Sequence, residues 1–525
     1  MAATGDSAET FAPETFAPET FATVAQGRLR GYRNAGIHVF KGVPYGRPPT
    51  GAHRFLPPEP PEAWSGVRDA THYGQSSPQI PVPSTHVETV PAGFPLMTSL
   101  LGWGLDADQG EDCLVLNVWT PGVSDDARRP VMFRIHGGGF VIGSGSWPQS
   151  DGTHLAHQGD VVVVTVNHRL GALGYLYLGD LAGERYAASG NAGMLDLVLA
   201  LQWVRDNIAA FGGDPGNVTI FGESGGGYKV STLLAIPAAK GLFHRAIVES
   251  GPGLKVRTRE AATEASRTVL TALGVAPGPD LIDRLSALPA HAFAIPAGYM
   301  LGPVMDEQVI PQQPGEAMAA GASSTVPLLI GTNQTESTLL GHLTELPAIA
   351  ALDDAGMHAR LAPLLKADTD PIIAAYRKAW PKATPGDILL LIEADRIMRI
   401  PSIHLAEHKL AGSTAPVFMY LLTWKTGALG GLFKTPHGME VPFTMDNVDT
   451  ASALSDYPES RPLAARMSAA WIHFARHGDP NIKSLPHWPA YTREARATML
   501  FDNTCTIVDD PFGDRAVWDA TNALA

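Results

Sequence analysis

The segment Gly222-Glu223-Ser224-Gly225-Gly226 sets a serine between glycines, directly after the apolar run 218–221 and before a helical stretch starting near Gly227. A G-x-S-x-G in that strand-to-helix context forms a sharp turn that lifts the serine hydroxyl to the edge of a sheet. The glycines let the backbone turn and let a substrate approach. The helix that follows aims its free N–H groups and positive dipole end at the reacting centre. Ser224 is the candidate nucleophile for acyl transfer. A second glycine-rich segment, His136-Gly137-Gly138-Gly139-Phe140, follows the apolar run 131–135. Acyl transfer builds negative charge on a carbonyl oxygen, which backbone N–H groups free of bulky side chains can hold. An HGGG segment upstream of a nucleophile elbow supplies part of such an oxyanion hole. The competing reading, a flexible glycine loop, does not account for both motifs in that order.

A serine nucleophile needs a base and an orienting acid, which in this arrangement follow in the order Ser, Asp/Glu, His. Eighteen histidines compete for the base. His437 stands out because Thr435-Pro436-His437-Gly438 is a loop shortly after the apolar run Val417–Leu422, whereas His404, His408 and His473 lie in helical patterns. Spacing alone does not settle the choice. For the acid, Asp306 follows a possible strand and rivals Glu336. His404-Leu405-Ala406-Glu407-His408 matches a zinc-peptidase pattern, with two imidazoles one helical turn apart. A catalytic zinc site normally takes three protein ligands, and no third is evident. The expectation is therefore no metal and no organic cofactor.

The elements that must position these residues alternate. Runs 131–135, 161–166, 218–221, 326–330 and Val417–Leu422 are short and apolar or β-branched, as strands buried on both faces are. Between them, Met194, Leu197, Val198, Leu201, Val204, Ile208 and Phe211 recur at helical spacing, with Asn191 placed to start the helix and Gly212-Gly213 to stop it. Such alternation predicts an α/β fold, a mostly parallel sheet flanked by helices. Residues 76–110 and 424–436 read as irregular, and the first is long enough to act as a lid. Residues 9–23 repeat ETFAP-type blocks with Pro13 and Pro18, which block a helix. We read residues 1–23 as a flexible arm and 24–525 as one hydrolase domain.

Composition bounds the partners. The chain has 525 residues, 45% hydrophobic and 17% charged, a balance able to fill a large core. No apolar run is long enough to span a bilayer, so no membrane insertion is expected. The net charge of −14 argues against a nucleic-acid partner. The two cysteines, Cys113 and Cys505, fit a reducing compartment. With no basic start followed by an apolar stretch, the expected location is cytoplasmic. Oligomeric state is not legible.

The chain from Val24 onward resembles the type-B carboxylesterases, the group that includes bacterial para-nitrobenzyl esterases and cholinesterases. The resemblance rests on Phe40-Lys41-Gly42-Val43-Pro44-Tyr45, on Glu111-Asp112-Cys113-Leu114-Val115-Leu116-Asn117-Val118, on the HGGGF segment, on Phe211-Gly212-Gly213-Asp214-Pro215 and on Phe221-Gly222-Glu223-Ser224. It implies an α/β-hydrolase fold, with Ser224 as nucleophile, His437 in its H-G-x-E segment as base and Glu336 as acid. The backbone N–H groups of Gly138, Gly139 and Gly225 would form the oxyanion hole, and Asp306 would sit in a structural turn. The implied activity is hydrolysis of carboxylic esters through an acyl-enzyme, on small to medium neutral small-molecule esters. Amide, carbamate or lipid hydrolysis by the same triad, or an inactive binding module, are the alternatives. Three departures follow. Gly225 stands where many relatives carry alanine. Lys229 replaces a small residue, and a lysine there is expected to snorkel outward. Serines at Ser76-Ser77 replace the usual disulfide partner of Cys113.

Overall fold

The structure is a computed structural model that describes residues 19–80, 94–104 and 108–521. Its strands are β1 (Glu19–Val24), β2 (Gly27–Asn34), β3 (Ile37–Pro44), β4 (Val67–Asp69), β5 (Val115–Thr120), β6 (Arg129–Ile135), β7 (Val162–Val166), β8 (Gly213–Glu223), β9 (Arg245–Glu249), β10 (Leu328–Asn333), β11 (Val417–Leu422), β12 (Ala497–Phe501) and β13 (Thr506–Asp509). They form one sheet of 13 strands in the order β1-β2-β3-β5-β7-β6-β8-β9-β10-β11-β12-β13, with β4 added beside β2. From β7 through β12 the neighbours run parallel. The antiparallel pairs lie at the two ends.

The parallel strands are apolar along their length because both faces are covered. Every residue of β7 and of β11 is buried. Successive side chains of β6 part company: Val131, Phe133 and Ile135 join one core and Met132 the other, as the period of two requires. The first core takes Leu197, Val198 and Leu201 of the helix Ala192–Asn207. The second takes Met467 and Trp471 of the helix Ser460–His477. The helix expected around Met194 is present, continues as a 3-10 turn to Phe211, and stops at Gly212, whose φ of 68° is the left-handed conformation a glycine adopts freely. Asn191 stands at its start, but its side chain does not cap it. The Asn191 amide donates instead to the carbonyl of Val304 and to Asp306.

Residues 19–23, read from the sequence as arm, form a strand. Thr20, Ala22 and Val24 alternate into the interior, and β1 pairs antiparallel with β2. The proline-spaced repeat hid this, because the strand begins in its last block, which lacks a proline. The rest of the expected arm, residues 1–18, lies outside the described residues. Within the loop expected over 76–110, the helix Phe94–Leu101 buries Leu100 and Leu101, while 81–93 and 105–107 lie outside the described residues, and with them part of the expected lid. No helix among the described residues is long and apolar enough to cross a membrane.

A buried ion pair fastens the helix Ala192–Asn207 to the loop after β7. The Arg169 guanidinium donates to both oxygens of Asp196, and Asp196 also accepts the Arg169 N–H. Both residues are nearly without exposure.

Candidate active site

The elbow is built at the C-terminal end of β8, in the middle of the parallel run. Ser224 follows β8 directly, with φ 57° and ψ −125°, and precedes the helix Gly225–Leu233. A non-glycine residue in such a sparsely populated region costs roughly 1–3 kcal/mol and persists only where the surroundings hold it. Here they do. The Ser224 N–H donates to the Glu249 carbonyl at 2.9 Å, and its own carbonyl accepts the Tyr228 N–H at 2.9 Å. Gly222 must lack a side chain, since a Cβ there would lie 2.5 Å from the Ile135 carbonyl oxygen.

Glu336 stands just past β10 and His437 in the loop after β11, so adjacent parallel strands deliver both to the same edge of the sheet. His437 Nδ1 donates to Glu336 Oε2 at 2.6 Å, in full burial. The other carboxylate oxygen, Oε1, accepts the Asn333 N–H at 2.7 Å and faces Ser250 Oγ at 2.7 Å. Ser250 Oγ also lies 2.7 Å from Glu440 Oε1. A hydroxyl has one proton to give. If it goes to Glu336, Glu440 must itself be protonated and donate to Ser250. Burial, and next the neighbouring Glu223, push the Glu440 carboxyl well above the usual carboxylate range, which is the same assignment. The Asn333 amide donates to the remaining Glu440 oxygen.

The other imidazole nitrogen, His437 Nε2, points back toward the elbow. It makes no hydrogen bond and stands 3.1 Å from Glu223 Oε1, the residue before Ser224. The structure thus joins His437 to Glu336 and sets it beside the elbow, without a hydrogen bond to Ser224 itself. Burial lifts Glu223 to about 7. Burial pulls His437 down, but Glu223 and Glu336 outweigh it and raise the imidazole to about 9.

The HGGG loop lies against the start of the helix Gly225–Leu233. Gly138 and Gly139 take φ 84° and 63°. Among the described residues, the N–H groups of Gly138, Gly139 and Gly225 donate to no protein acceptor. Lys229 does not snorkel outward as expected. It has no exposed surface, and its Nζ donates to the Gly139 carbonyl at 2.8 Å and to the His136 carbonyl at 3.3 Å. The helix turns this side chain inward, where a small residue would leave those carbonyls unmet. Burial lowers the amine to about 7. Burial and this amine keep His136 and His168, packed edge to face at 4.7 Å, well below the ordinary histidine range.

A cleft of about 520 Å³ is lined by Tyr228, four residues after Ser224, and by Pro252, Leu254, Gln313, Arg396 and His404 among others. His404 and His408 of the zinc-like pattern both face it, and no group of three potential metal ligands converges among the described residues. Asp306 holds a turn, its Oδ1 accepting the N–H groups of Gln308, Val309 and Ile310. Cys113 and Cys505 are both free and buried. Sequence reasoning gave no role to Glu223, Ser250 or Glu440, and weighed Lys229 near the site only to favour an outward side chain. Glu440 had a signal in its place three residues after His437, and Glu223 in its place before Ser224.

The model of the carboxylesterase family matches residues 18–515. The chain is 37% identical over 510 residues to the para-nitrobenzyl esterase of Bacillus subtilis (strain 168), covering 94% of this chain and 97% of that one. It is 33% identical over 492 residues to the cocaine esterase of Homo sapiens, covering 89% and 84%. The crystal structure of the Geobacillus stearothermophilus carboxylesterase EST55 at pH 6.2 superposes with a TM-score of 0.82 at 40% identity, covering 95% of this chain and all of that one. With that coverage and that fold, the chain belongs to the carboxylesterase family and is a carboxylic ester hydrolase on the α/β-hydrolase scaffold.

Proposed function

We propose that Ser224 is the nucleophile, His437 the general base and Glu336 its orienting acid, with Gly138, Gly139 and Gly225 holding the oxyanion. His437 Nε2 takes the Ser224 proton as Oγ attacks the ester carbonyl. Glu336, bonded to Nδ1–H, fixes the tautomer and stabilises the imidazolium that forms. The protonated imidazole then hands its proton to the departing alcohol. Water, activated by the same nitrogen, releases the acid from the acyl-enzyme. The negative oxygen of each tetrahedral intermediate faces the three uncommitted N–H groups.

The observation that carries this reading is the Glu336–His437 hydrogen bond of 2.6 Å, which leaves Nε2 uncommitted beside Glu223, the residue before a strained serine at a helix start. The substrates are small to medium neutral esters entering through the cleft beside Tyr228. Discrimination between them is broad, since one methylene in an apolar pocket is worth only about 1–3 kcal/mol. A cytoplasmic location fits the two unpaired, buried cysteines. Turnover of para-nitrophenyl acetate by Ser224→Ala tests the assignment. It should fall by about four decades with an unchanged circular dichroism spectrum, and a folded variant that keeps its rate overturns it.

A further inference from the structure

Lys229 is a buried amine with no acid to pair with: it makes no ion pair among the described residues, and its hydrogen bonds go to two backbone carbonyls. Those carbonyls, of His136 and Gly139, bracket the Gly137-Gly138 peptide. The amine also lies 5.4 Å above the Phe140 ring, at the far end of the same loop. The glycine at 225 meets the same loop at Gly139. A Cβ there would lie 2.5 Å from both the nitrogen and the Cα of Gly139, and closer still to its carbonyl oxygen. Real Cβ atoms do not approach backbone so closely, so the loop occupies the space an alanine side chain would need.

We infer that Lys229 is a positioning residue that clamps the His136–Gly139 loop onto the elbow, and that Gly225 lacks a side chain to let the clamp close. The inference rests on the proposed mechanism, because its purpose is to fix the N–H groups that receive the oxyanion. A methionine would fill the same space without the cost of stripping water from an ammonium group. The two hydrogen bonds and the ring face offset that cost and hold the loop at a fixed distance from Gly225. Lys229 touches no reacting atom. It acts through the loop, in the transition state, when charge reaches the carbonyl oxygen.

The test uses the full-length enzyme, para-nitrophenyl acetate, and the variants Lys229→Met, Gly225→Ala and their double. Loss of one oxyanion donor typically costs about 100- to 1,000-fold in kcat, and a displaced loop should cost part of that, about 10- to 100-fold. The expected result is such a fall in kcat for each single variant, with KM within about twofold of the parent. The double variant should fall less than the product of the two singles, because either change alone already releases the loop. Should Lys229→Met fail to fold, Gly225→Ala alone decides, since alanine is the residue that many members of the resembled family carry at this position. A parent-like kcat in the variants, a loss confined to KM, or multiplicative effects would overturn the clamp. Stoichiometric labelling of Ser224 by a fluorophosphonate in the parent separates that outcome from failure of the nucleophile assignment itself.

Discussion

Nε2 of His437 stands 3.1 Å from Oε1 of Glu223, so the residue preceding the nucleophile is the nearest charge partner of the proposed base on its reactive side. Three carboxyl groups surround one imidazole, and a base must be neutral to accept a proton.

That relationship sets the pH dependence. An unperturbed histidine would give an acid limb at about 6–7. Here Glu223 and Glu336 outweigh burial and raise the imidazole to about 9, so kcat/KM of the parent should still be rising above neutral pH. Removing the Glu223 charge disfavours the imidazolium and lowers its pKa. Glu223→Gln should therefore move the acid limb of kcat/KM for para-nitrophenyl acetate down by about one pH unit. An unmoved or upward-shifted limb contradicts the role given to Glu223.

The buried carboxyls Glu440 and Glu223 contribute stability that falls as pH rises. Glu440, pushed well above its ordinary value, binds a proton in the folded state that the unfolded chain has already lost. Such a group contributes stability that is full below its unfolded pKa and is lost as pH rises toward its folded pKa. Glu223, raised to about 7, acts in the same direction between roughly pH 4.5 and 7. The melting temperature of the parent, taken relative to that of Glu440→Gln, which cannot ionise at this position, should decline from pH 5 to pH 8. Equal slopes for parent and variant would show that Glu440 is charged in the folded protein.

Asp196→Asn should be costly although it is remote from the chemistry. It leaves the Arg169 guanidinium buried beside a neutral amide, and removing one partner of a buried pair typically costs about 3–5 kcal/mol. Urea titration should show that loss with an unchanged slope. A change below about 1 kcal/mol would mean the pair is a weak fastener.

How much could be read from the residues follows from the physics of each. β7 and β11 were legible because strands buried on both faces must be apolar throughout. β9, of sequence RAIVE, was not, because Arg245 and Glu249 bracket only three apolar residues and Glu249 is buried through hydrogen bonds rather than by hydrophobicity. β1 was hidden because all but its last residue belong to the repeat. Ser224 and the HGGG loop were legible because backbone geometry demands glycine at fixed places. Glu336 needed the family, since Asp306 carried an equal local signal until its three N–H partners placed it in a turn. Lys229 went the other way: lysines snorkel outward as a rule, and only the two carbonyls of a folded loop could hold this one inside.

The central claim is a covalent intermediate on one serine, and intact-protein mass spectrometry during rapid turnover of para-nitrophenyl acetate tests it most directly. The expected result is a transient mass increase of a single acetyl group, mapped by peptide digestion to Ser224 and absent from Ser224→Ala. Turnover at the parent rate with no acyl adduct on Ser224, or with the adduct on another residue, would contradict it.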